Sequence, residues 1–483
     1  MKLPSIPAAA ALDGFFNNLQ YEPKSVLELL PSAADDHLDD DHHFLPDFHD
    51  WDSLMMMTKP PLAASNSSDP LLFTPPPPPE NATDYFFAAA DYYDTSIIGN
   101  LLDEDGDNDN KKCCSSWRYE YDYVDELIQL ADCFDSFQPP HQLLLAQLHH
   151  KLPSPAGKPL RRAAFYFKEA LQSGGGRAST TPSDDVIIKA IEAYQIFSSI
   201  SPVPMFSGFT ANQAMLEAAV MHDDDDEGSA VFLHAIDFDI GFGSHWASFM
   251  KELVADRGAD QWTILQITAV VPDSFGVESK LVKDNLAQLA SELSIDFHMD
   301  FVLLSTFRLL SFESVKFLDG QRVLVLLSPA IFRVVEASYF AADLRRISPE
   351  MVVSVDCDGT VGCGPSSVRQ TVIDGLMFYS TLLESLEAAS AGWGGDWMER
   401  VENFVVVPKI EEMVGAAGSS GTAWKEAFAA AGFREVGLSQ FADLQANCLV
   451  GRMQIGGFHV AKRHEEMLLC WHDRALVSTS AWK

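Results

Sequence analysis

The sequence has few basic residues, and its cysteines form no recognisable pattern. Only 33 Lys and Arg stand against 69 Asp and Glu, which gives a formal net charge of −36. Such a charge repels phosphate backbones and argues against broad electrostatic binding of nucleic acid, although it leaves room for a local basic patch. The seven cysteines include no C-x-x-C pair, so neither a zinc module nor a disulfide framework is expected.

Long apolar runs and catalytic signatures are also missing. No apolar run approaches the ~20 residues of a membrane-spanning helix. A short apolar run near the N-terminus is interrupted by Asp13 after one early Lys, so a secretory signal is not expected. The chain contains no G-x-S-x-G elbow, P-loop or H-E-x-x-H motif. We therefore expect a protein of the cytoplasm or nucleus that is not an enzyme, needs no cofactor and has no membrane partner.

Residues 1–115 differ in composition from the rest of the chain. The first 120 residues hold 22 acidic and 6 basic side chains, together with five consecutive prolines at Pro75–Pro79. Because this composition cannot bury a packed core, we predict a disordered acidic arm. Within it, Asp35–Met57 mixes acids with aromatic and aliphatic side chains, as activation or docking segments do. The alternative is a solvated tail in which those aromatics are incidental.

The stretch Val231–Met250 predicts the centre of the folded part. An apolar run leads into Asp237, which is typical of a strand buried on both faces. Gly241 and Gly243 then predict a sharp turn, and apolar residues from Trp246 onward recur at helical spacing. A strand, a glycine turn and a helix form the opening unit of a doubly wound α/β sheet.

Strands and helices alternate along most of the remaining chain. We predict strands at 262–271, 297–305, 322–328, 351–355 and 475–482, a hairpin at 457–471, and helices at 281–293, 339–347, 367–389 and 424–433. Apolar stripes between about 117 and 197 predict an N-terminal helical cap. The expected fold class is α/β: a methyltransferase-like, Rossmann-type sheet that is mostly parallel, with the helical cap before it and the disordered acidic arm in front.

The glycine turn is the strongest candidate ligand site in the sequence. Backbone N–H groups at such a turn, next to a helix N-terminus, can bind an anionic or nucleotide-like ligand. His245 occupies the third glycine position of a methyltransferase-like turn, and Trp246 occupies that of a dinucleotide fingerprint, where an indole obstructs close packing. We expect a structural turn. Binding of a small ligand or of S-adenosylmethionine, with or without methyl transfer, is the alternative.

Other polar residues favour structural roles. Asp237 and Asp239 end the central strand, where such acids more often bind backbone N–H groups than catalyse. His234, inside the apolar strand, is expected to be a satisfied core histidine. Thr210 is expected to cap the helix that follows it. Lys462–His464 forms a basic turn that could contact phosphate, which keeps direct sequence-specific DNA binding as a further alternative.

The central strand also resembles a known family. Its motif is similar to the VHIID motif of the plant GRAS, or scarecrow-like, proteins, and is formed by Leu233, His234, Ala235, Ile236 and Asp237. The continuation to Leu253 is similar to the hairy-meristem branch of that family.

Four more stretches carry the resemblance. Residues 159–171 resemble the pattern RxAxYFxEAL of the first leucine-rich region, and residues 200–217 resemble SPxxxFxxFTANQAILEA. Further matches to the PFYRE and SAW motifs are Pro349, Phe378, Tyr379, Arg400 and Glu402 for the former, and Ser480, Ala481 and Trp482 for the latter.

The resemblance implies one GRAS domain over residues 116–483. Its regions would be leucine repeat I (about 117–201), VHIID (about 202–275, with the motif at 233–237), leucine repeat II (about 277–309), PFYRE (about 318–411) and SAW (about 414–483). It implies a nuclear transcriptional regulator in meristem and developmental control. Such a regulator contacts DNA-bound transcription factors or other GRAS proteins, reaches DNA through those partners, and can form homo- or heterodimers. No catalytic, cofactor-binding or metal-ligating residue is implied.

Overall fold

One nine-stranded sheet forms the centre of the computed structural model. The structure describes residues 122–134, 139–174, 182–220, 231–257, 263–357, 359, 367–390, 395–418 and 423–483. The predicted acidic arm, residues 1–115, lies outside these described residues. The described residues from Tyr123 onward belong to one compact unit.

Five parallel strands make up the first half of the sheet. They are β1 (Val231–Asp237), β2 (Thr263–Val271), β3 (Asp296–Leu303), β4 (Arg322–Leu327) and β5 (Met351–Asp356). Their order across the sheet is β3-β2-β1-β4-β5, and every neighbouring pair is parallel. This is the order of the first five strands in a doubly wound fold. The predicted mostly parallel sheet is therefore confirmed, with β1 at its centre.

The C-terminal strands extend the sheet in the antiparallel sense. They are β6 (Glu435–Val436), β7 (Phe458–Arg463), β8 (Glu466–Trp471) and β9 (Arg474–Trp482). The strand β9 pairs with β5 on one side and with β8 on the other, while β7 forms the predicted hairpin with β8. The short strand β6 also pairs with β9. The C-terminus therefore completes the central sheet.

Among the described residues, five helices precede the sheet; the first four form the cap predicted over about 117–197, and the fifth extends it. They are α1 (Asp122–Asp132), α2 (Pro139–Lys151), α3 (Pro159–Gln172), α4 (Asp184–Ile200) and α5 (Pro202–Val220). One prediction is wrong here, because Thr210 lies inside α5 and does not cap a helix. Its Oγ1 donates to the Phe206 carbonyl at 2.8 Å and pairs with Thr479 Oγ1 of β9 at 2.7 Å. The buried threonine therefore links the cap to the last strand.

Further helices lie between the strands along the chain. They are α6 (Ser244–Arg257), α7 (Val277–Glu292), α8 (Leu304–Leu310), α9 (Ala337–Ile347), α10 (Val368–Ala389), α11 (Trp397–Val401), α12 (Val407–Gly415), α13 (Trp424–Ala430) and α14 (Gln440–Arg452). A π-helical turn at Glu402–Val406 joins α11 to α12, and 3-10 turns lie at Ser311–Ser314 and Pro329–Arg333. The third strand ends at Leu303, two residues earlier than predicted, because α8 begins at Leu304.

Alternate residues of the central strand enter two separate cores. Leu233 and Ala235 pack in the core that contains Trp246 and Phe249 of α6. Ile236 packs in the other core, which contains Phe340 of α9. The strand is thus buried on both faces, as its apolar run predicts.

Candidate functional site at the end of the central strand

The glycine turn connects β1 directly to α6. Gly241 and Gly243 have φ values of 51° and 73°, in the left-handed region that glycine adopts without strain. A Cβ on Gly243 would lie 3.0 Å from Val282 Cγ1 and 3.3 Å from Leu286 Cδ1, both on α7. The packing of α7 against the turn therefore explains Gly243 without a ligand.

The carboxylate of Asp237 is fully buried and bonded within the protein. Its Oδ1 accepts a hydrogen bond from the Asp239 backbone N–H at 2.8 Å, and its Oδ2 accepts one from the Trp246 indole N–H at 2.7 Å. The imidazole Nε2 of His245 lies 3.2 Å from the same Oδ2 but is not aligned for a hydrogen bond. The prediction that this acid binds backbone N–H groups is confirmed. The Trp246 indole, which was expected to obstruct close helix–strand packing, donates a hydrogen bond to this carboxylate.

His234 lies in the middle of β1 and has no exposed surface. Its Nε2 is 2.8 Å from Thr268 Oγ1, while its Nδ1 makes no hydrogen bond to the described residues. Burial lowers the pKa of His234 to about 4, so the ring is neutral at neutral pH. A core histidine was expected, and the structure satisfies one of its two nitrogens.

This depressed pKa predicts a pH dependence of stability. In the unfolded chain the imidazole gains a proton near pH 6.5, whereas in the folded chain it resists protonation down to about pH 4. The free energy of unfolding should therefore fall as the pH drops from 6.5 to 4, by up to about 3 kcal/mol from this residue. Urea unfolding of the full chain across this range measures the loss. In the His234→Gln variant, the free energy of unfolding should lose this contribution to its pH dependence. An equal pH dependence in both proteins would contradict the lowered pKa of His234.

The helical cap closes over the same turn. The ring of Tyr194, from α4, lies 5.8 Å from that of Phe242 in edge-to-face contact. Burial raises the pKa of Tyr194 to about 12, so its hydroxyl stays protonated. From α5, the Asn212 side-chain amide donates to the His245 carbonyl at 2.9 Å. Sequence reasoning did not identify Tyr194 or Asn212, because only the tertiary fold brings the cap to the turn.

The predicted basic turn is already paired with acids. Lys462 Nζ lies 3.1 Å from the Asp443 carboxylate, and Arg463 lies 2.7 Å from the Glu466 carboxylate. Both cations therefore already have counter-charges in the fold, which weakens the interpretation of this turn as a phosphate contact.

A buried polar network joins two stretches that resemble family motifs. Arg162 and Tyr166 of α3 both contact the Glu402 carboxylate, and Arg162 also contacts Glu387. Burial, followed by the adjacent carboxylate of Glu402, raises the pKa of Tyr166 above its usual range. Its hydroxyl therefore remains a hydrogen-bond donor. The sequence signals for this network were the similarity of residues 159–171, which contain Arg162 and Tyr166, to the first leucine-rich region and the placement of Glu402 in the PFYRE-like region.

The described residues carry neither a metal-site cluster nor a membrane-spanning helix. Within that part of the chain, no group of three or more His, Cys, Asp or Glu side chains could hold a metal ion. None of its helices combines the length and apolarity needed to cross a bilayer.

Comparison with known proteins identifies the family. The model of the GRAS domain family matches residues 123–483. The chain belongs to the GRAS family. Similar proteins of Arabidopsis thaliana include Scarecrow-like protein 15, 45% identical over 375 residues that cover 75% of each chain. Scarecrow-like proteins 6 and 27 are 37% and 31% identical, across 74% and 71% of this chain. The matched regions are 62% and 54% of those two proteins' own lengths.

The VHIID-like and SAW residues of this GRAS-family chain lie in the interior. Leu233, His234, Ala235, Ile236 and Asp237 are at most 1% exposed, and Ser480, Ala481 and Trp482 at most 4%. The tryptophan indole donates to Ser480 Oγ at 3.0 Å. These residues build the sheet and its two cores, so a partner must contact other side chains.

Proposed function

We propose that this GRAS-family chain is a nuclear transcriptional regulator that acts through contacts with DNA-bound transcription factors or other GRAS proteins. In this proposal the chain reaches DNA through those partners and acts in plant meristem and developmental control, as a member of the hairy-meristem branch. Its scaffold is methyltransferase-like, without a cofactor. The similarity of the central strand and its continuation supports the proposal, as does the similarity to proteins named scarecrow-like.

The observation that carries the proposal is the closure of the glycine turn. Doubly wound folds bind ligands outside the carboxyl ends of their strands, where the strand order reverses. In the strand order β3-β2-β1-β4-β5, the direction of the order reverses between β1 and β4. The Asp237 carboxylate is saturated by Trp246 and by the backbone, Gly243 lies against α7, and Tyr194 packs over Phe242. The protein's own residues thus occupy the Gly243 side of the turn, while Gly241 is exposed with nothing within 4 Å of its Cβ position. The occupied side favours a role for the outer surface.

A DNA shift assay with and without a partner tests this function. Full-length chain is used to capture proteins from a nuclear extract of meristem tissue, and a captured DNA-binding protein is then mixed with its target DNA. We expect the purified chain to leave free DNA unshifted, since its net charge is −36, and to retard the partner–DNA complex further.

Two outcomes would overturn the proposal in favour of the alternatives. A shift of free DNA by the chain alone, with a steep loss of affinity as salt rises, would indicate direct DNA binding. Binding heat with S-adenosylmethionine, absent in a folded Gly241→Val variant, would indicate a methyl-donor site at the glycine turn.

A further inference from the structure

An aromatic cluster fills one side of the sheet near the carboxyl end of β1. Phe238, which directly follows β1, lies 5.1 Å from Phe307, 6.2 Å from Phe312 and 5.3 Å from Phe340, measured between ring centroids. Phe332 lies 5.2 Å from Phe340 and so joins the same cluster. These rings have exposed residues next to them in sequence: Leu309 lies two residues after Phe307, Val334 two residues after Phe332, and Tyr339 directly before Phe340.

The outer surface of this cluster is unusually apolar. We call it the Leu309 face and define it by Arg308, Leu309, Leu310, Arg333, Val334 and Tyr339. Leu309 is 84% exposed and Tyr339 is 77% exposed, while Leu310 and Val334 are 49% and 37% exposed. Single exposed apolar residues are common on protein surfaces, but a group over one cluster marks an interaction site more often.

Cations without counter-charges border this apolar surface. The structure records no ion pair or hydrogen bond for the guanidinium of Arg308 or Arg333 with any described residue. Nearby Arg346, by contrast, pairs with Asp343 at 2.8 Å. Residues 304–346 contain six basic and four acidic side chains, within a chain whose net charge is −36. Arg322 of this segment bonds to the Ala218 and Ala219 carbonyls, and the Glu336 carboxylate accepts the Tyr339 N–H, so Arg308 and Arg333 are the cations of the Leu309 face without a described counter-charge.

We propose that the Leu309 face binds an acidic amphipathic helix of a partner protein. Leucine or aromatic side chains on one face of that helix would cover Leu309 and Tyr339, and flanking carboxylates would pair with Arg308 and Arg333. Helices dock on apolar surfaces through anchors at i, i+3, i+4 and i+7, and opposite charges at the rim guide association. The inference rests on the proposed function, since it names the class of partner that the adaptor would hold.

The charge of the chain favours an acidic helix over nucleic acid as the ligand of the Leu309 face. Two unpaired guanidinium groups on an apolar surface offer few phosphate contacts, and the rest of the chain repels a polyanion. A short acidic helix carries fewer charges, and its apolar anchors gain from burial against the exposed leucines. The same surface therefore selects an acidic peptide over DNA.

Fluorescence anisotropy with a designed peptide tests the proposal. The probe is a labelled 20-residue peptide with Leu and Phe at i, i+3, i+4 and i+7 and Glu or Asp around them. A second peptide has the same composition in a scrambled order. Full-length chain should bind the patterned peptide at least tenfold more tightly than the scrambled one, and added salt should weaken the binding. Equal affinity for the two peptides would overturn the proposal.

Matched variants locate the binding surface. Leu309→Ser and Arg333→Glu should each weaken binding of the patterned peptide at least tenfold. Leu143→Ser should leave it unchanged, because Leu143 is a 62% exposed leucine of α2, in the helical cap. Circular dichroism confirms that each variant is folded. Unchanged affinity in the Leu309 and Arg333 variants would show that the peptide binds elsewhere and would overturn the assignment.

The partner assay separates this inference from the proposed function. If the chain retards the partner–DNA complex but does not bind the patterned peptide, the Leu309 face is not the docking surface and the regulator proposal stands. If it binds the patterned peptide but captures no DNA-bound partner, the face is a peptide-binding surface and the proposed function fails.

Discussion

Replacing Glu402 with alanine should lower the free energy of unfolding by about 3 to 5 kcal/mol, the usual result of removing one partner from a buried ion pair. The Glu402 carboxylate is 3% exposed and contacts both Arg162 and Tyr166. Its removal leaves the Arg162 guanidinium, itself 7% exposed, short of a buried counter-charge. It also leaves the Tyr166 hydroxyl without its acceptor. Denaturant unfolding of the purified full chain measures the change.

The second carboxylate on the same arginine provides the control. Glu387 also contacts Arg162, but its side chain is 42% exposed. Because solvent screens an exposed charge, Glu387→Ala should cost less than about 1 kcal/mol. Glu402→Gln keeps an acceptor oxygen and removes the charge. Its loss in the free energy of unfolding should lie between the losses in the other two variants. Similar losses for Glu387→Ala and Glu402→Ala would mean that burial does not set the strength of this network.

The parallel half of the fold could be predicted because its signals are local. An apolar run that ends at Asp237, followed by Gly241 and Gly243, describes a strand and a turn within about a dozen residues. The same argument held for the later strands, since each is bounded by polar or turn residues. The prediction of secondary structure was weakest where the spacing of apolar residues fits both a strand and a helix. Leu304 and Ser305 continue the pattern of a strand, yet they begin a helix that packs beside the aromatic cluster.

The parts that could not be predicted depend on contacts between distant segments. Glu402 lies 240 residues from Arg162, and no local pattern connects them. Thr210 has the sequence context of a helix cap, but the start of α5 at Pro202 places it in the helix interior. For the site, the role of Asp237 as an acceptor of backbone N–H groups and the mismatch of Trp246 with the third glycine position were accessible from sequence. That the two side chains bond to each other was not, because their pairing requires the turn to be folded.

The interior position of the family motifs affects how function can be inferred from them. A motif whose residues are at most 4% exposed identifies the scaffold. In the proposal made above, the partner would be bound by exposed residues such as Leu309 and Tyr339, which no motif resemblance singled out. For a protein of this family, the motif therefore indicates the fold and the surface must be analysed separately.

Replacing Gly375 with alanine should destabilise the chain by about 3 kcal/mol, at the upper end of the usual cost of overpacking. Gly375 lies in the middle of α10, where a Cβ would be 2.2 Å from Phe167 Cζ and 2.9 Å from Met413 Sδ. Phe167, on α3, is fully buried, so its ring cannot move aside without disturbing the contact between the cap and α10. Thermal and denaturant unfolding of the full chain measure the loss.

A matched glycine and a compensating substitution make this prediction specific. Gly451 of α14 has nothing within 4 Å of the position of its Cβ, so Gly451→Ala should be neutral or stabilise the chain by up to about 1 kcal/mol. Phe167→Leu shortens the obstructing side chain and should recover part of the stability lost in Gly375→Ala. The coupling between these two substitutions should exceed about 0.5 kcal/mol. Additive losses in the double variant would mean that the clash with Phe167 is not the cause, and that α10 meets α3 less closely than these distances require.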